Sequence, residues 1–242
     1  RFIWDGLKSQ RLDRPYLRKS GKLQAATWEE ALAAVATKVK KAGSKVGAIA
    51  GDLAAVEEMY ALKGLLASIG SGMTDVRPAM SGIDPSMPRS AYLFNPTIAG
   101  IERADAILII GANPRKEASL INARIRKTWR ATNLPIAVIG EQADLTYAYD
   151  YLGSGFETLA DLAAGKGAFA ETLKNAKRPL IIVGEGAVSH ADLGKQAGRD
   201  TSALAAKLAT GANVEGDWNG FALLHNAASR VGGLDIGFVP HD

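Results

Sequence analysis

An apolar run without alternation, Ala106–Ile110, ends at Gly111 and passes through Asn113 and Pro114 into a basic amphipathic stretch over 117–132. A strand apolar at every position has to be covered on both faces, and the usual cover is helices flanking a parallel sheet. The plan recurs at 180–190, where the apolar run 180–183 ends at Gly184-Glu185-Gly186. Strand-then-helix units repeated along one chain need crossover connections. The expected fold class is therefore α/β, a doubly wound arrangement of mostly parallel sheets.

Periodicity places the other elements. Thr27-Trp28-Glu29-Glu30 has the form of a capping box, opening a helix with Trp28, Leu32, Val35 and Val39 in an apolar stripe and an end near Lys40, Lys41 and Gly43. Short strands are expected at 46–50, 73–76 and 136–139, and helices at 54–68, 159–164, 169–176, 202–208 and 221–231. Residues 73–97 hold four prolines and little periodicity, a long loop of the kind that carries a function or has lost one. A glycine-rich break at 153–155 divides the expected organisation into a basic arm over 1–26 and two Rossmann-like lobes over 27–152 and 153–242.

With 242 residues, 47% of them hydrophobic and 22% charged, the chain has enough apolar material for one large core or two small ones. No apolar run approaches the roughly 20 residues of a membrane-spanning helix. The opening Arg1-Phe2-Ile3-Trp4-Asp5 has no signal-peptide apolar region. Lacking an initiator Met, and stopping at Pro240-His241-Asp242, the sequence reads as a segment of something larger. It has no cysteine, which excludes disulfides, thiolate metal sites and a cysteine nucleophile within these residues. Residues 1–22 carry seven Lys or Arg against two Asp, so the remaining 220 residues sum to about −1 of the formal +4. Such an arm can grip RNA or anionic lipid. Without an RGG, RNP-like or zinc-knuckle pattern, the better reading is a solvated or subunit-contacting segment.

The turn after Ala106–Ile110 makes chemical sense as a ligand site. Gly111 admits close backbone approach, Asn113 and Pro114 lead into the helix, the helix N-terminus offers free N–H groups, and Arg115 can grip a phosphate bidentately. Glu117 in the first turn already satisfies the dipole, however, and repels an anion. The helix itself is explained by packing, with Ala118, Ile121, Ile125 and Trp129 on one face and Arg126, Lys127 and Arg130 facing outward or toward a partner. Gly184 and Gly186 form half of a dinucleotide fingerprint, but Ser189 stands at the third glycine position and Glu185 sets a negative charge where pyrophosphate belongs. His190, His225 and His241 lack metal-ligand spacing, Ser71 and Ser81 lack a neighbouring base, and Asp84, Asp144 and Asp150 fit caps or turns. Trp4, Trp28, Trp129 and Trp218 are spaced for packing rather than base stacking.

Taken together, "TWEEAL" opening a helix and "ADAILIIGANP" leading into another resemble the body of molybdopterin-dependent oxidoreductases. "RFIWDGLKSQRLDRPYLR", "INARIRKTW", "ADLTYAYDYLG" and "EGDWNGFALLHNAASRVGGLDIGF" narrow this. They resemble the large iron–sulfur subunit family in the peripheral arm of the proton-pumping NADH:quinone oxidoreductase, respiratory complex I, in a bacterial version. The resemblance implies a subunit whose 2Fe-2S and 4Fe-4S clusters relay electrons from NADH toward quinone. The resemblance places those clusters in a portion that would precede Arg1, with no cofactor expected in this segment. It further implies a molybdopterin-oxidoreductase-like domain without molybdenum. Its partners would be other peripheral-arm subunits, not nucleic acid, and it would meet the cytoplasmic side of the inner membrane only through the complex. Two departures agree with an emptied pocket. "MTDVRPAMSGIDPSMPRSAYLF" has no Cys where the enzymes place a metal ligand, although Ser71, Ser81 and Ser86 remain as oxygen donors. "IGEQADLTY" puts Gly140 and Glu141 where the enzymes have an Asp-Pro-Arg-type turn. On this reading Gly111, Asn113, Arg115, Gly184 and Gly186 are a vestigial cofactor site in a structural, non-catalytic domain. The alternative is a domain that still holds a pterin, nucleotide or metal at the strand-end crevice.

Overall fold

In the computed structural model, which describes residues 2–9, 11–76, 83, 86–188, 194–210 and 213–240, the chain forms two compact units. One comprises Arg1–Ala48 and Ala61–Met73, the other Ile49–Tyr60 and Thr74–Pro240.

The first unit begins with α1 (Phe2–Lys8) and an antiparallel hairpin, β1 (Tyr16–Lys19) and β2 (Lys22–Ala25). Its two-residue turn has positive φ at Ser20 and Gly21, the twist that matches hairpin strands. The expected capping box is present on α2 (Trp28–Ala42): the Glu30 amide donates to Thr27 Oγ1 at 3.1 Å and the Thr27 amide donates to Glu30 Oε2 at 3.0 Å. Yet α2 buries none of its residues, and its stripe lies open, Trp28 being 70% exposed. Capping and intrinsic propensity, rather than core burial, hold this helix.

Next along the chain come β3 (Ala48–Ile49), α3 (Val56–Ser68) and β4 (Thr74–Asp75), both strands shorter than the expected 46–50 and 73–76. The second unit continues with α4 (Thr97–Gly100), β5 (Ala106–Ile110), α5 (Pro114–Glu117), α6 (Ser119–Thr132), β6 (Ile136–Ile139) and β7 (Asp150–Gly153). It is completed by α7 (Phe156–Ala163), α8 (Ala168–Asn175), β8 (Pro179–Gly184), α9 (Glu185–Val188), α10 (Gly194–Ala209), β9 (Phe221–Leu224) and α11 (Arg230–Asp235).

Five parallel strands form the sheet of this unit in the order β7-β6-β5-β8-β9, with Leu108 facing Ala137 on one side and Ile181 on the other. Every residue of β5, β6, β8 and β9 is buried, as strands covered on both faces require. Ile107, Ile109, Ile125, Ile136, Leu180 and Ile182 anchor the core cluster, so the expected apolar face of α6 does pack inward.

Three expectations change. The stretch over 221–231 is not a helix but β9 followed by α11, because an unbroken apolar run of four fits a buried strand or a buried helix equally and pairing with β8 decides. The helix over 117–132 is two, α5 and α6, broken at Ala118, where φ −147° and ψ 64° leave the helical region. Strands from both sides of the 153–155 break share one sheet, so the boundary drawn there falls inside one unit. Gly153 and Gly155, at φ +124° and +88°, turn the chain from β7 into α7.

Candidate functional site

The chain runs outward from β5 through β6 to β7, then returns to the other side of β5 for β8 and β9. The strand order therefore reverses between β5 and β8, and the carboxyl ends of these two strands bound the crevice where ligands of such sheets bind. Gly111 leaves β5 at φ +57°, and Gly184 and Gly186 flank the end of β8, so the structure brings these three predicted residues together.

What they meet is one another. A Cβ on Gly111 would stand 2.5 Å from the Ala187 Cβ and 2.7 Å from its amide nitrogen. A Cβ on Gly184 would overlap the Gly111 carbonyl oxygen, and one on Gly186 would come within 2.9 Å of it. Gly140, at the end of β6, would bring a Cβ to 3.3 Å from the Gly111 Cα. The glycines allow two turns to interlock. The cavity left beside them, about 120 Å³, is lined by Ile110, Phe156, Leu159 and Thr201 with Gly111, Gly140 and Gly186.

The polar groups at the first turn are partly engaged. The Asn113 amide donates to Glu117 Oε1 at 2.7 Å, so the first free N–H of α5 is capped from within. Arg115 Nη1 donates to Asp144 Oδ2 at 2.6 Å and to the Asp144 carbonyl oxygen at 3.0 Å. The Thr146 amide and this guanidinium together hold the Asp144 carboxyl below its usual range. Asn113 Oδ1, by contrast, is buried without a hydrogen-bond partner among the described residues.

Beyond β8 lies a group that sequence reading missed. Glu185, 7% exposed, faces Arg230, 2% exposed, at 3.4 Å, and its Oε2 accepts from the Asn226 amide at 3.3 Å. Arg230 Nε and Nη1, Ser229 Oγ and Glu185 Oε1 have no hydrogen-bond partner among the described residues. Glu185 is thus an internal counter-ion, not an exposed charge waiting at a phosphate position. The only signal in the sequence was an arginine amid the small and apolar residues "NAASRVGGLD". His225, one residue past β9, is hydrogen-bonded through Nε2 to the Tyr92 carbonyl oxygen at 2.7 Å, and a carbonyl only accepts, so Nε2 carries the proton. Burial pushes this imidazole below its ordinary value of 6.5.

The remaining candidates scatter. Ser71 Oγ donates to the Val46 carbonyl oxygen at 2.5 Å, a backbone brace. Arg1, Ser81, Asp84, Ser189, His190 and His241 lie outside the described residues, and among the described ones no group of three or more metal-ligating side chains gathers. Trp218 is buried, its Nε1 donating to the Pro179 carbonyl oxygen at 2.8 Å, whereas Trp4 and Trp28 are exposed. On α6, Lys127 and Arg124 both reach Glu102, with Lys127 Nζ at 3.0 Å.

A family model described as molybdopterin oxidoreductase matches residues 11–242. Two curated relatives, from Rickettsia bellii and Rickettsia conorii, each named as a subunit of NADH-quinone oxidoreductase, are 48% identical over 240 residues, 98% of this chain. The chain spans about a third of their length, 34% and 35% respectively. Among solved structures, the formyltransferase/hydrolase complex FhcABCD from Methylorubrum extorquens, in complex with methylofuran, shares the fold. It gives a TM-score of 0.58 at 18% identity, over 93% of this chain and 66% of that one. The resemblance drawn from the sequence motifs is thereby borne out, and the chain belongs to the molybdopterin oxidoreductase family.

Proposed function

We propose that this chain is a structural, non-catalytic domain of a subunit of NADH-quinone oxidoreductase, where it supports the peripheral arm and contacts neighbouring subunits. The subunit takes part in electron transfer from NADH to quinone, with its 2Fe-2S and 4Fe-4S clusters in a portion outside these cysteine-free residues. It lies peripherally on the cytoplasmic side of a bacterial inner membrane. No helix among the described residues is long and apolar enough to cross one.

The observation that carries this reading is the interlocking of Gly111 with Ala187 and Gly184 at the switch point. The residues there do not fit a pterin dinucleotide. Sites for ligands of that size enclose about 300–1,000 Å³, and the crevice cavity has about 120 Å³. The anion-binding groups are also committed, Arg115 to Asp144 and the Asn113 amide to Glu117.

Metal analysis of the purified complex, joined to fluorescence of acid-extracted pterin, tests the proposal. Iron with molybdenum, tungsten and pterin far below one per subunit is the expected result; stoichiometric molybdenum or tungsten overturns it. A second reading, retention of a small ligand at Gly111, Asn113 and Arg115, is favoured by one observation, the buried Asn113 Oδ1 that has no hydrogen-bond partner among the described residues. It predicts extractable pterin or nucleotide that Asn113→Ala abolishes.

A further inference from the structure

α6 carries Arg124, Arg126, Lys127 and Arg130 and no carboxylate. The fold accounts for two of these cations, since Arg124 and Lys127 share Glu102. Arg126 and Arg130, one turn apart, have no ion-pair partner among the described residues. Like charges at that spacing repel along a helix. Neither side chain is needed for the core, which takes Ile125 from another face of the helix.

These arginines border an open groove of about 620 Å³ whose opposite wall includes Arg115 and Thr146. Small side chains, Ser119, Ala123 and Ala131, line it and admit close approach by another backbone. Asn122 also lines the groove but is engaged, its Nδ2 donating to the Leu145 carbonyl oxygen at 3.1 Å and its Oδ1 accepting from Tyr147 at 2.9 Å. Among the described residues no carboxylate lines the groove. Arg115 is matched by Asp144, and Glu102 offers one charge to two cations. The uncompensated charge is therefore Arg126, Arg130 and one share of the Arg124–Lys127 pair.

We propose that this groove docks an acidic segment of a neighbouring polypeptide, whose carboxylates pair with Arg126 and Arg130. The inference rests on the assembly reading above and names the partner's chemistry. Guanidinium forks match carboxylates in bidentate geometry and are favoured at interfaces. The groove is far larger than an inorganic anion needs. Among the described residues that line it there is no aromatic side chain on which a base could stack and no large apolar side chain to enter a lipid layer.

The test uses the intact complex with the full-length subunit. A photo-crosslinking amino acid replaces Ala123, and the linked peptide is identified by mass spectrometry. In parallel, the R126E/R130E double variant is compared with R126K/R130K for retention of the subunit in the complex during salt washing. The expected result is a link to an Asp- and Glu-rich peptide of another subunit, with retention reduced about tenfold by charge reversal and largely kept by lysine. No link, a link to a non-acidic peptide, to the subunit's own chain, to nucleic acid or to lipid, overturns the inference, as does unchanged retention of the charge-reversed form. Because the cross-link is read with both arginines in place, it decides even if the reversed variant fails to fold. Wild-type subunit present in the complex but unlinked at Ala123 sinks only the groove; wild-type subunit absent from the complex sinks the assembly reading itself.

Discussion

Gly111 combines two demands that no other residue meets. Its φ of +57° disfavours a side chain, and the space a Cβ would take is already held by Ala187. Gly111→Ala is expected to lower stability by about 2–4 kcal/mol, from left-handed strain plus overpacking, as read from the denaturant midpoint. A near-neutral result would mean that the turns stand further apart than the interlocked geometry. Glu185 and Arg230 pose a different problem, a buried pair in which Arg230 Nε and Nη1 find no hydrogen-bond partner among the described residues. Removing one charge strands the other, so Glu185→Gln is expected to cost about 3–5 kcal/mol, while E185Q combined with R230M recovers most of the loss. Chemical denaturation of the single and double variants measures both. Glycines 111, 184 and 186 were legible as a tight turn from their position after apolar runs. Their mutual contact was not, because 111 and 184 are separated by most of the sheet's connectivity.

Among the elements, β5 and α6 were nearly transparent: five consecutive apolar residues have one fate in an α/β chain, and a helical stripe containing Ile125 has one face to bury. The strand β9 was opaque for the complementary reason, since "FALL" is apolar all round and its partner β8 lies about forty residues earlier in the chain. Edge strand β7, with exposed Asp150 and Tyr151, gave almost no apolar signal. α2 shows local chemistry acting alone. Its capping box was readable in four residues, but whether its apolar stripe is covered was not. Since α2 buries nothing, Thr27→Ala is expected to weaken it locally by about 1 kcal/mol, accelerating amide exchange in its first turns roughly fivefold. Hydrogen exchange on the full-length subunit reads this directly, and unchanged exchange would show that other contacts hold the helix.

For the protein taken entire, stability should depend on pH in two separable windows. Burial disfavours the His225 imidazolium; facing it, Arg230 adds to that effect, while Glu185 and the Tyr92 carbonyl partly oppose it. The folded state consequently binds the proton less readily than the unfolded state, whose histidine titrates near 6.5. The His225 contribution is fully present above that value and is lost as pH falls below it, because the unfolded chain takes up the extra proton. His225→Asn should flatten the stability profile below about pH 6.5, the unfolded value, and leave neutral pH less affected. The second window is more acidic. Arg89, and then Tyr92, hold the Asp235 carboxyl below its usual 3.8, so that contribution persists above 3.8 and disappears as pH falls through the depressed value. Guanidinium denaturation across the pH range separates the two.

From the sequence alone came the periodicities: which runs are strands buried on both faces, where α2 is capped, that no cysteine can hold a cluster, and the motifs that tie the chain to its family. These are properties of neighbours within a few residues, and local sterics and solvation decide them. Only the tertiary structure decided that Ala187 occupies the space over Gly111, that Glu185 answers Arg230, and that Arg126 and Arg130 have no ion-pair partner among the described residues beside an open groove. Each of those depends on which distant segments meet, and pairing across the sheet is set by the collective packing of the core rather than by any one stretch of chain.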